Sequence, residues 1–476
     1  MIQLDNYIFT MKSFSGFISK VIDDKRFSRG IDKKIEKNVF RVFWGGLNDP
    51  AAKSIVMETG FFWNAAHIDT MGLYHQSSLS TPEALRQITS FSAPVSAQSI
   101  ILTSKNESKF SQGEDPEIQG KDIGQHDVIL ACQNPTDRSI RSVASPDDYY
   151  KFIDDACSFY GKKLFIKLHP WNSGAVGDRI RKIASAHGIE AHKINHRVLD
   201  GCQFVLVFNS TFSVDCMLRG VPVAQYAPGY FWQNPAVMYT KRSFPTNVRT
   251  DEAFGYKTCD FLAWRYCFDF TMDYDKWVRM LFTFARSNDL FPMPADLSYA
   301  ANNMSERSKY EYIYSDDKRH YGKRDHGYNA HDIILSMKPV SLLDVGCGKG
   351  AFVEWAKAQG ISAQGIDIAS GYGTKGDICN MPFEDNSFDV LTAFDVLEHL
   401  RPNDLDRALN EMLRVTRKAW ILSIGYGAAK IKLLDSTIDL HPISRDQDWW
   451  IKRLKEFVDG IEFSKDGLYL ECYLSK

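Results

Sequence analysis

The feature that most restricts the fold of this chain is an alternation of short apolar runs with longer amphipathic runs, found twice along the sequence. Apolar runs typical of strands occupy six stretches of the first half: 38–45, 54–60, 127–133, 163–169, 204–210 and 221–227. Helical patterns separate some of them, for example at 145–161 and 175–188. Because strands that alternate with helices pack as parallel sheets covered by helices, we predict an α/β fold.

The second alternation begins after a polar break at 288–308. It predicts, in chain order, a strand at 341–345, a helix at 350–359, strands at 362–367 and 388–394, a helix at 404–416 and a strand at 419–424. The pattern is again that of an α/β sheet with helices on its faces.

Domain boundaries follow from this break and from a polar, glycine-containing stretch at 103–126. The chain has 476 residues, which is long enough for two or three domains. We predict a first domain at 1–290 that consists of two Rossmann-like lobes, at about 38–115 and 125–290. A linker at 291–309 and a further Rossmann-like domain at 310–476 complete the predicted organisation.

Composition excludes several classes of protein. The net charge of −2 gives no sign of a nucleic-acid binder. The nine cysteines include no pair with CxxC spacing, and their apolar surroundings indicate reduced thiols and no metal site. The start lacks the apolar core of a signal peptide, and no stretch approaches the ~20 apolar residues of a transmembrane helix. We expect a cytoplasmic protein, with peripheral binding at the inner membrane left open.

The most specific motif is LLDVGCGKGAF at 342–352, which places Asp344 at the end of an apolar strand. The turn that follows contains three alternating glycines: Gly346, Gly348 and Gly350. Glycines at such a turn let the backbone approach a ligand at the start of the next helix. Asp367 ends the next strand, where a carboxylate can accept hydrogen bonds from ribose hydroxyls.

This arrangement resembles class I S-adenosylmethionine-dependent methyltransferases over about 310–476. The resemblance implies that Asp344 and the three glycines line the methionine moiety of S-adenosylmethionine, and that Asp367 binds its ribose. It further implies that Asp377 and Ile378 contact the adenine, and that Asp395 closes the other side of the cofactor site.

Two histidines are candidates for the acceptor side of this domain. His399 lies in DVLEHL, and a neutral imidazole there can act as the base for a hydroxyl acceptor. A structural hydrogen bond is the equally supported alternative for His399. His441 lies in 439–450, which looks like the segment that covers the acceptor pocket in sugar-modifying members of the family.

Polar residues also follow three apolar runs of the first half. The stretch VILACQNPTDRSI, 128–140, carries Gln133 and Asp137, and a polar loop is the favoured interpretation when the stretch is taken alone. The other two runs are followed by Lys167, His169 and Pro170, and by Ser210, Thr211 and Ser213. Carboxyl ends of parallel strands face the ligand crevice, and hydroxyls beside a helix N-terminus suit a phosphate.

Taken in order with earlier motifs, these residues resemble capsular polysaccharide β-Kdo transferases, which are retaining GT-B-type enzymes that use CMP-Kdo. The resemblance covers about 38–232. The earlier motifs are Trp44-Gly45, Glu58-Gly60-Phe61, Asp69-Gly72-Tyr74 and Ser80-Pro82-Glu83. One departure is Asp215, which stands where the family has glutamate.

The resemblance implies a double displacement in which the Asp137 carboxylate forms a covalent glycosyl intermediate. Gln133 would then hold the sugar carboxylate or orient Asp137, and Lys167 would neutralise donor charge. His169 with Pro170 would contact CMP, and the Ser210, Thr211 and Ser213 turn would hold its phosphate. Glu58 is the candidate general base for the acceptor hydroxyl, with a structural carboxylate as the alternative.

The combined prediction is a bifunctional enzyme of surface-polysaccharide synthesis. It would transfer Kdo from CMP-Kdo to a glycan acceptor of a capsule or O-antigen, and it would O-methylate the sugar product with S-adenosylmethionine. Polysaccharide-assembly proteins are the expected partners, and nucleic acid is not. Two alternatives stay open. The donor can be another nucleotide-activated sugar, or one of the two domains can be a non-catalytic module for glycan binding or docking.

Overall fold

The apolar runs of the first half form two six-stranded sheets in the computed structural model. The first sheet consists, in spatial order, of Cys267–Asp269, Ala65–Asp69, Ser54–Thr59, Phe40–Trp44, Ile2–Leu4 and Phe27–Arg29. The second consists of Met238–Tyr239, Val223–Gln225, Phe204–Val207, Val128–Ala131, Leu164–Lys167 and Ala191–His192. Neighbours in the second sheet are all parallel, whereas Ala65–Asp69 runs antiparallel to both of its neighbours in the first. The predicted α/β class is confirmed.

The chain divides into two compact units, Met1–Asn303 and Met304–Lys476. The structure describes residues 2–4, 20, 24, 27–29, 40–45, 54–102, 109, 113–121, 126–269, 274–294, 297–315, 321–433, 436–464 and 469–474. Most of the predicted inter-lobe stretch at 103–126 lies outside the described residues. The predicted linker at 291–309 includes two helical segments, Tyr299–Asn303 and the start of Glu306–Ser315.

Helices cover the sheets of the first unit as the sequence pattern predicts. Their bounds are Pro82–Ser90, Ala97–Ile101, Arg138–Arg141, Pro146–Tyr160, Ala175–Ala186, Phe212–Leu218, Glu252–Phe261, Tyr274–Arg286 and Tyr299–Asn303. Pro146–Tyr160 shows why these segments are helical: Ser145 and Asp148 form a capping box at its start. Its apolar face, which includes Phe152 and Ile153, packs in the core of the second sheet.

The end of the first unit returns to the first sheet, although the sequence analysis placed residues up to 290 in the second lobe. Cys267–Asp269 pairs with Ala65–Asp69 at the sheet edge. The helix Tyr274–Arg286 buries Trp277 and Leu281 in the core of this first sheet. An amphipathic helix must bury its apolar face, but its pattern does not specify which of two sheets receives it.

The second unit contains one seven-stranded sheet. In spatial order its strands are Thr374–Lys375, Ser362–Asp367, Ser341–Val345, Phe388–Phe394, Thr416–Ser423, Leu470–Tyr473 and Gly460–Phe463. A separate hairpin joins Lys430–Leu433 to Ser436–Asp439. The helices are Glu306–Ser315, His331–Met337, Ala351–Ala358, Leu405–Val415 and Gln447–Leu454. Within the described part of the chain, none of the helices has both the length and the apolar character needed to cross a bilayer.

We expect fragments 1–303 and 304–476 to fold independently, because each unit buries apolar cores of its own. Each purified fragment should show cooperative thermal unfolding. A fragment that ends at 290 is a matched control: it lacks Met293 and Leu297, which are fully buried in the core of the first sheet. Loss of two such side chains costs about 2–5 kcal/mol each, so this fragment should be clearly less stable than 1–303. Absence of a cooperative transition in both fragments 1–303 and 304–476 would contradict the division.

Candidate active sites

The first candidate site lies where the strand order of the second sheet reverses, between Val128–Ala131 and Phe204–Val207. Strands added later along the chain lie on both sides of this point. In open α/β sheets, ligands bind in the crevice beyond the carboxyl ends of the two strands at such a point. The loops that follow them carry predicted residues from two motifs, Gln133 and Asp137 from the first and Ser210 from the second.

Gln133 joins these two loops to each other. Its buried Nε2 donates hydrogen bonds to Ser139 Oγ and Asn209 Oδ1, at 3.1 and 3.0 Å, and its Oε1 accepts one from the Asn209 amide. Both amide hydrogens are therefore used within the protein. Gln133 therefore fixes the loops that carry the site, including Ser139, whose amide donates to Asp137. Its roles toward the sugar carboxylate and Asp137 stay predictions.

Asp137 presents an exposed carboxylate beside the crevice. One oxygen caps the short helix Arg138–Arg141 by accepting a hydrogen bond from the Ser139 amide at 2.9 Å. The charge of Asp137 also acts on a residue of the first sheet. The pKa of Glu58 is raised, mainly by burial. The charge of Lys109 opposes this shift, and the charge of Asp137 adds to it. Asp137 and Glu58, which are distant in sequence, therefore share one electrostatic environment.

Two tyrosines hold the Glu58 carboxylate. The hydroxyl of Tyr74 donates to one oxygen and that of Tyr230 to the other, each at 3.1 Å. Tyr230 comes from the loop after Val223–Gln225 of the second sheet, and its hydroxyl also lies 3.2 Å from His67 Nε2. Glu58 is thus oriented by both lobes of the first unit, and its raised pKa favours a group that can take up a proton. The sequence did not predict a role for Tyr230. It marked this residue only as one of three consecutive aromatic residues at 230–232.

A pocket beside this cluster contains most of the predicted donor-binding residues. Its lining includes Lys109, Lys167, His169, Pro170, Ser210 and Thr211. The buried Lys167 ammonium donates to the Ile194 carbonyl at 2.6 Å, and burial lowers its pKa to about 8, against the opposing effect of Asp215. The pocket is therefore cationic on one side, as a phosphate ligand requires.

His169 offers a hydrogen-bond donor to this pocket. Its Nδ1 accepts a hydrogen bond from the Trp171 amide at 3.1 Å, so the ring proton is on Nε2. Burial and the charge of Lys167 lower the pKa of His169 to about 4, and Asp137 opposes them. A neutral imidazole with an Nε2 proton can donate to a nucleotide oxygen near pH 7.

The serine-rich turn divides into two parts. Ser210 and Thr211 line the pocket, and Ser210 Oγ accepts a hydrogen bond from the Phe212 amide. Ser213 is fully buried, and its hydroxyl donates to the Ser210 carbonyl at 3.0 Å. Ser213 therefore stabilises the start of Phe212–Leu218 and does not face the pocket, contrary to its predicted contact with a phosphate.

The second candidate site lies at the corresponding reversal in the seven-stranded sheet, between Ser341–Val345 and Phe388–Phe394. Asp344 is buried there and accepts a hydrogen bond from Thr392 Oγ1 at 2.7 Å. Burial raises its pKa to about 7. Among the glycines that follow, Gly348 has φ +53, and a Cβ on it would lie 2.8 Å from the Gly322 carbonyl oxygen. This position therefore requires glycine. Asp344 and the glycine turn both lie at the carboxyl end of Ser341–Val345, where a ligand would bind.

Asp367 is surrounded by hydrogen-bond donors. Its Oδ1 accepts from the amides of Ala369 and Ser370, and its Oδ2 accepts from the Gly348 amide and the Tyr314 hydroxyl, both at 3.0 Å. Three of these four donors are backbone amides, whereas the fourth is the side-chain hydroxyl of Tyr314 in the helix Glu306–Ser315. A ribose hydroxyl can replace this phenol without loss of the backbone bonds, so the site fits the predicted ligand.

The remaining predicted residues of this domain flank Asp367 and the reversal point. Asp377 is exposed and accepts a hydrogen bond from the Cys379 amide, and Ile378 is buried. Asp395 directly follows Phe388–Phe394 with φ +55. Its carboxylate contacts His326 Nδ1 at 2.9 Å and accepts a hydrogen bond from Ser423 Oγ.

His399 makes the structural hydrogen bond that was one of its two predicted roles. Its Nδ1 donates to the Leu440 carbonyl at 2.6 Å, which joins the turn after Phe388–Phe394 to the segment that carries His441. Burial and the neighbouring His441 lower the pKa of His399 to about 4. The imidazole is therefore a weak base near pH 7, although its Nε2 keeps a lone pair.

Comparison with known proteins identifies part of the second unit. Residues 343–423 match the family model described as a methyltransferase domain. Norajmaline N-methyltransferase of Rauvolfia serpentina is 32% identical over 149 residues, which are 27% of this chain and 48% of that protein. The match thus spans about half the length of that curated relative. The predicted resemblance of this region to methyltransferases is confirmed.

Two solved structures are similar to different shares of this chain. The β-Kdo 2,7 transferase KpsC of Thermosulfurimonas dismutans has a TM-score of 0.39 and 13% identity, and covers 56% of this chain and 92% of its own. The 1,6-didemethyltoxoflavin-N1-methyltransferase of Burkholderia thailandensis, solved with S-adenosylhomocysteine, has a TM-score of 0.28 and 16% identity. It covers 36% of this chain and 87% of its own.

Proposed function

We propose that this protein transfers Kdo from CMP-Kdo to a glycan acceptor with its first unit and O-methylates the sugar product with its second. The observation that carries the first half is the arrangement of the motif residues at the crevice. Asp137, Glu58 and His169 come from three separate motifs, and the charge of Asp137 acts on both of the other two residues. Lys167, His169 and Ser210 line one pocket beside them.

In the proposed glycosyl transfer, the Asp137 carboxylate attacks the anomeric carbon of Kdo. The bond from that carbon to the phosphate oxygen breaks, and CMP leaves with the electron pair. The result is a covalent ester between Kdo and Asp137. Lys167 and His169 stabilise the negative charge that develops on the leaving phosphate.

The second displacement returns Asp137 to its ionised form. Glu58 accepts the proton of the acceptor hydroxyl, whose oxygen attacks the anomeric carbon as the bond to Asp137 breaks. Two inversions give net retention of the anomeric configuration. The hydroxyls of Tyr74 and Tyr230 hold the Glu58 carboxylate in position for this step.

The second half of the proposal is supported by the methyltransferase family match and by the site around Asp344 and Asp367. These residues would hold S-adenosylmethionine: Asp344 and the glycine turn at its methionine moiety, Asp367 at its ribose, and Asp377 with Ile378 at its adenine. When bound, S-adenosylmethionine supplies an electrophilic methyl group. We infer a sugar hydroxyl as the acceptor because the domain is fused to the proposed sugar transferase.

The whole proposal is tested by incubation of the full chain with CMP-Kdo, a panel of capsule and O-antigen saccharides, and S-adenosylmethionine. Mass spectrometry should show a mass increase for Kdo and a further increase for a methyl group. In a second incubation, a mixture of nucleotide sugars replaces CMP-Kdo. Transfer of a sugar other than Kdo would point to the alternative donor. Activity of one domain only would favour a binding role for the other.

We expect His169→Ala to weaken CMP binding by about 1.5–3 kcal/mol, the range of a hydrogen bond to a charged group. The hydrogen bonds of His169 to Trp171 and Asn172 lie within its own turn, so the thermal transition is recorded beside the affinity. Calorimetry with CMP, UDP and GDP gives the measurement. The control is His187→Ala, which removes an exposed contact between His187 and Asp154. Stronger binding of UDP or GDP than of CMP would contradict the assigned donor.

A further inference from the structure

The turn after Phe388–Phe394 and the segment after the Lys430–Asp439 hairpin bring three ligand-type side chains together. One ligand atom from each of Glu398, His399 and His441 lies within 4.8 Å of the others. Two hydrogen bonds hold the two segments together: the His399 side chain donates from Nδ1 to the Leu440 carbonyl, and the Ile443 backbone amide donates to the Glu398 carbonyl. The cluster is therefore fixed by the fold on both sides.

Both imidazoles are held in the tautomer that a metal ligand needs. Nδ1 of His399 lies 2.6 Å from the Leu440 carbonyl oxygen, and Nδ1 of His441 lies 2.5 Å from the Gly427 carbonyl oxygen. A carbonyl oxygen only accepts hydrogen bonds, so each Nδ1 carries the proton and each Nε2 carries the lone pair. A carbonyl partner on one ring nitrogen is the usual outer contact of a histidine that binds a metal through the other.

Glu398 is the second and independent observation. Its side chain is fully buried, its Oε1 accepts a hydrogen bond from the Gly425 amide at 2.6 Å, and its Oε2 has no hydrogen-bond partner among the described residues. A buried carboxylate oxygen without a partner is destabilising unless a cation or a proton compensates it.

Gly425 keeps the space beside the cluster open. A Cβ at this position would lie 2.8 Å from Glu398 Oε1 and 2.8 Å from His441 Cε1. Any larger residue would therefore push the carboxylate and the imidazole out of their present positions.

The geometry points to a divalent transition-metal site formed by Glu398, His399 and His441. Nitrogen and carboxylate ligands of such ions lie at about 2.0–2.2 Å from the metal, hence at most ~4.4 Å from one another. The three ligand atoms lie within 4.8 Å of one another, which is close to this spacing. Two imidazoles with one carboxylate suit ions such as Zn²⁺, Mn²⁺, Fe²⁺ or Co²⁺ and leave coordination positions open. This proposal departs from the sequence analysis, which assigned no metal.

The site lies next to the proposed methyl-transfer centre. Val396, in the same turn as Glu398, packs against Gly346 of the glycine turn, where a Cβ would lie 2.5 Å from Val396 Cγ2. The ring of Tyr310 meets the His399 ring edge-on, and Tyr310 packs in turn on Tyr314, the partner of Asp367. A cation at this place would bind a sugar hydroxyl of the acceptor and lower its pKa. That role depends on the proposed function, whereas ion binding itself does not.

The test uses full-length protein that has been dialysed against a chelator. Co²⁺ is titrated in, and its visible d–d absorption reports an ion bound by protein ligands. We expect one equivalent to bind to the wild type, and Glu398→Gln and His441→Ala each to weaken binding by about 100-fold or more, at least the effect of losing an outer-shell contact. His441 is only half-buried, so its variant keeps the fold even if the buried Glu398→Gln variant does not.

His192→Ala is the matched control, because Asp115, Glu117 and His192 form the other cluster of ligand-type side chains in the described part of the chain. Asp115 is already engaged by Arg181 and the Lys193 amide, and we expect this variant to bind Co²⁺ like the wild type. No Co²⁺ signal in the wild type, or an undiminished signal in His441→Ala, would overturn the site. Calorimetry with S-adenosylmethionine on the same metal-free protein reports on the proposed function separately.

Discussion

Asp137→Asn is expected to reduce Kdo transfer by a factor on the order of 10³ or more, because an amide cannot form the glycosyl ester. The structure indicates that this substitution removes the nucleophile and preserves the local fold. Asp137 caps Arg138–Arg141 through Oδ1, and asparagine caps helices as well as aspartate does. The fold and CMP binding should therefore survive. Transfer is measured with CMP-Kdo and a saccharide acceptor, and CMP binding by calorimetry.

The matched control is Asp251→Asn, which makes the same change at another helix N-cap of the first unit. Asp251 accepts a hydrogen bond from the Phe254 amide and is not among the residues that line the pocket. Transfer by this variant should equal that of the wild type. Intact-mass measurement of the wild type with CMP-Kdo should also show a Kdo adduct on the peptide that contains Asp137. Near-normal transfer by Asp137→Asn would refute the nucleophile, and an inverted product would refute double displacement.

The second large effect is expected at the cofactor site. Asp367→Ala should weaken S-adenosylmethionine binding by about 1.5–3 kcal/mol, or roughly 10- to 150-fold, because charge-assisted hydrogen bonds to the ribose are lost. Calorimetry with S-adenosylmethionine and with S-adenosylhomocysteine provides the measurement. The variant also deprives the Gly348, Ala369 and Ser370 amides of their acceptor, so its thermal transition must be recorded beside its affinity.

Tyr314→Phe separates the two effects of Asp367. It removes the hydroxyl that donates to Asp367 Oδ2 and keeps the ring in its cluster with Tyr310 and Tyr321. If a ribose hydroxyl takes the place of this phenol, the affinity of the variant should equal or exceed that of the wild type. A loss of affinity as large as that of Asp367→Ala would show that the ribose does not bind at Oδ2.

The sequence by itself determined the α/β class and ten of the 21 strands in the described part of the chain. Ser341–Val345, Ser362–Asp367 and Phe388–Phe394 begin and end at the predicted residues, because their apolar runs stop at polar turns on both sides. Short or partly polar strands were missed, among them Ala65–Asp69 and Cys267–Asp269. Their pairing depends on the sheet edge that receives them, which a local pattern does not contain.

The sequence also indicated which loops carry the candidate sites, since carboxyl ends of parallel strands meet at one edge of a sheet. What each side chain does there was decided by the tertiary structure. Gln133 and Ser213 are polar and stand in the right loops, yet their hydrogen bonds are made inside the protein. Residue type and position could not distinguish them from Asp137 or Ser210, because hydrogen-bond partners from other loops settle the difference.

The cluster of Glu398, His399 and His441 is the strongest case of information held only by the tertiary structure. No spacing in the sequence marks it as a metal motif, because His441 lies far from the other two residues along the chain. Hydrogen bonds from the turn to Leu440 and Ile443 bring it into place, and carbonyl oxygens of Leu440 and Gly427 fix the tautomers of His399 and His441. Local sequence specifies strands and turns through short-range propensities, whereas a ligand set assembled from distant segments exists only once the sheet has brought those segments together.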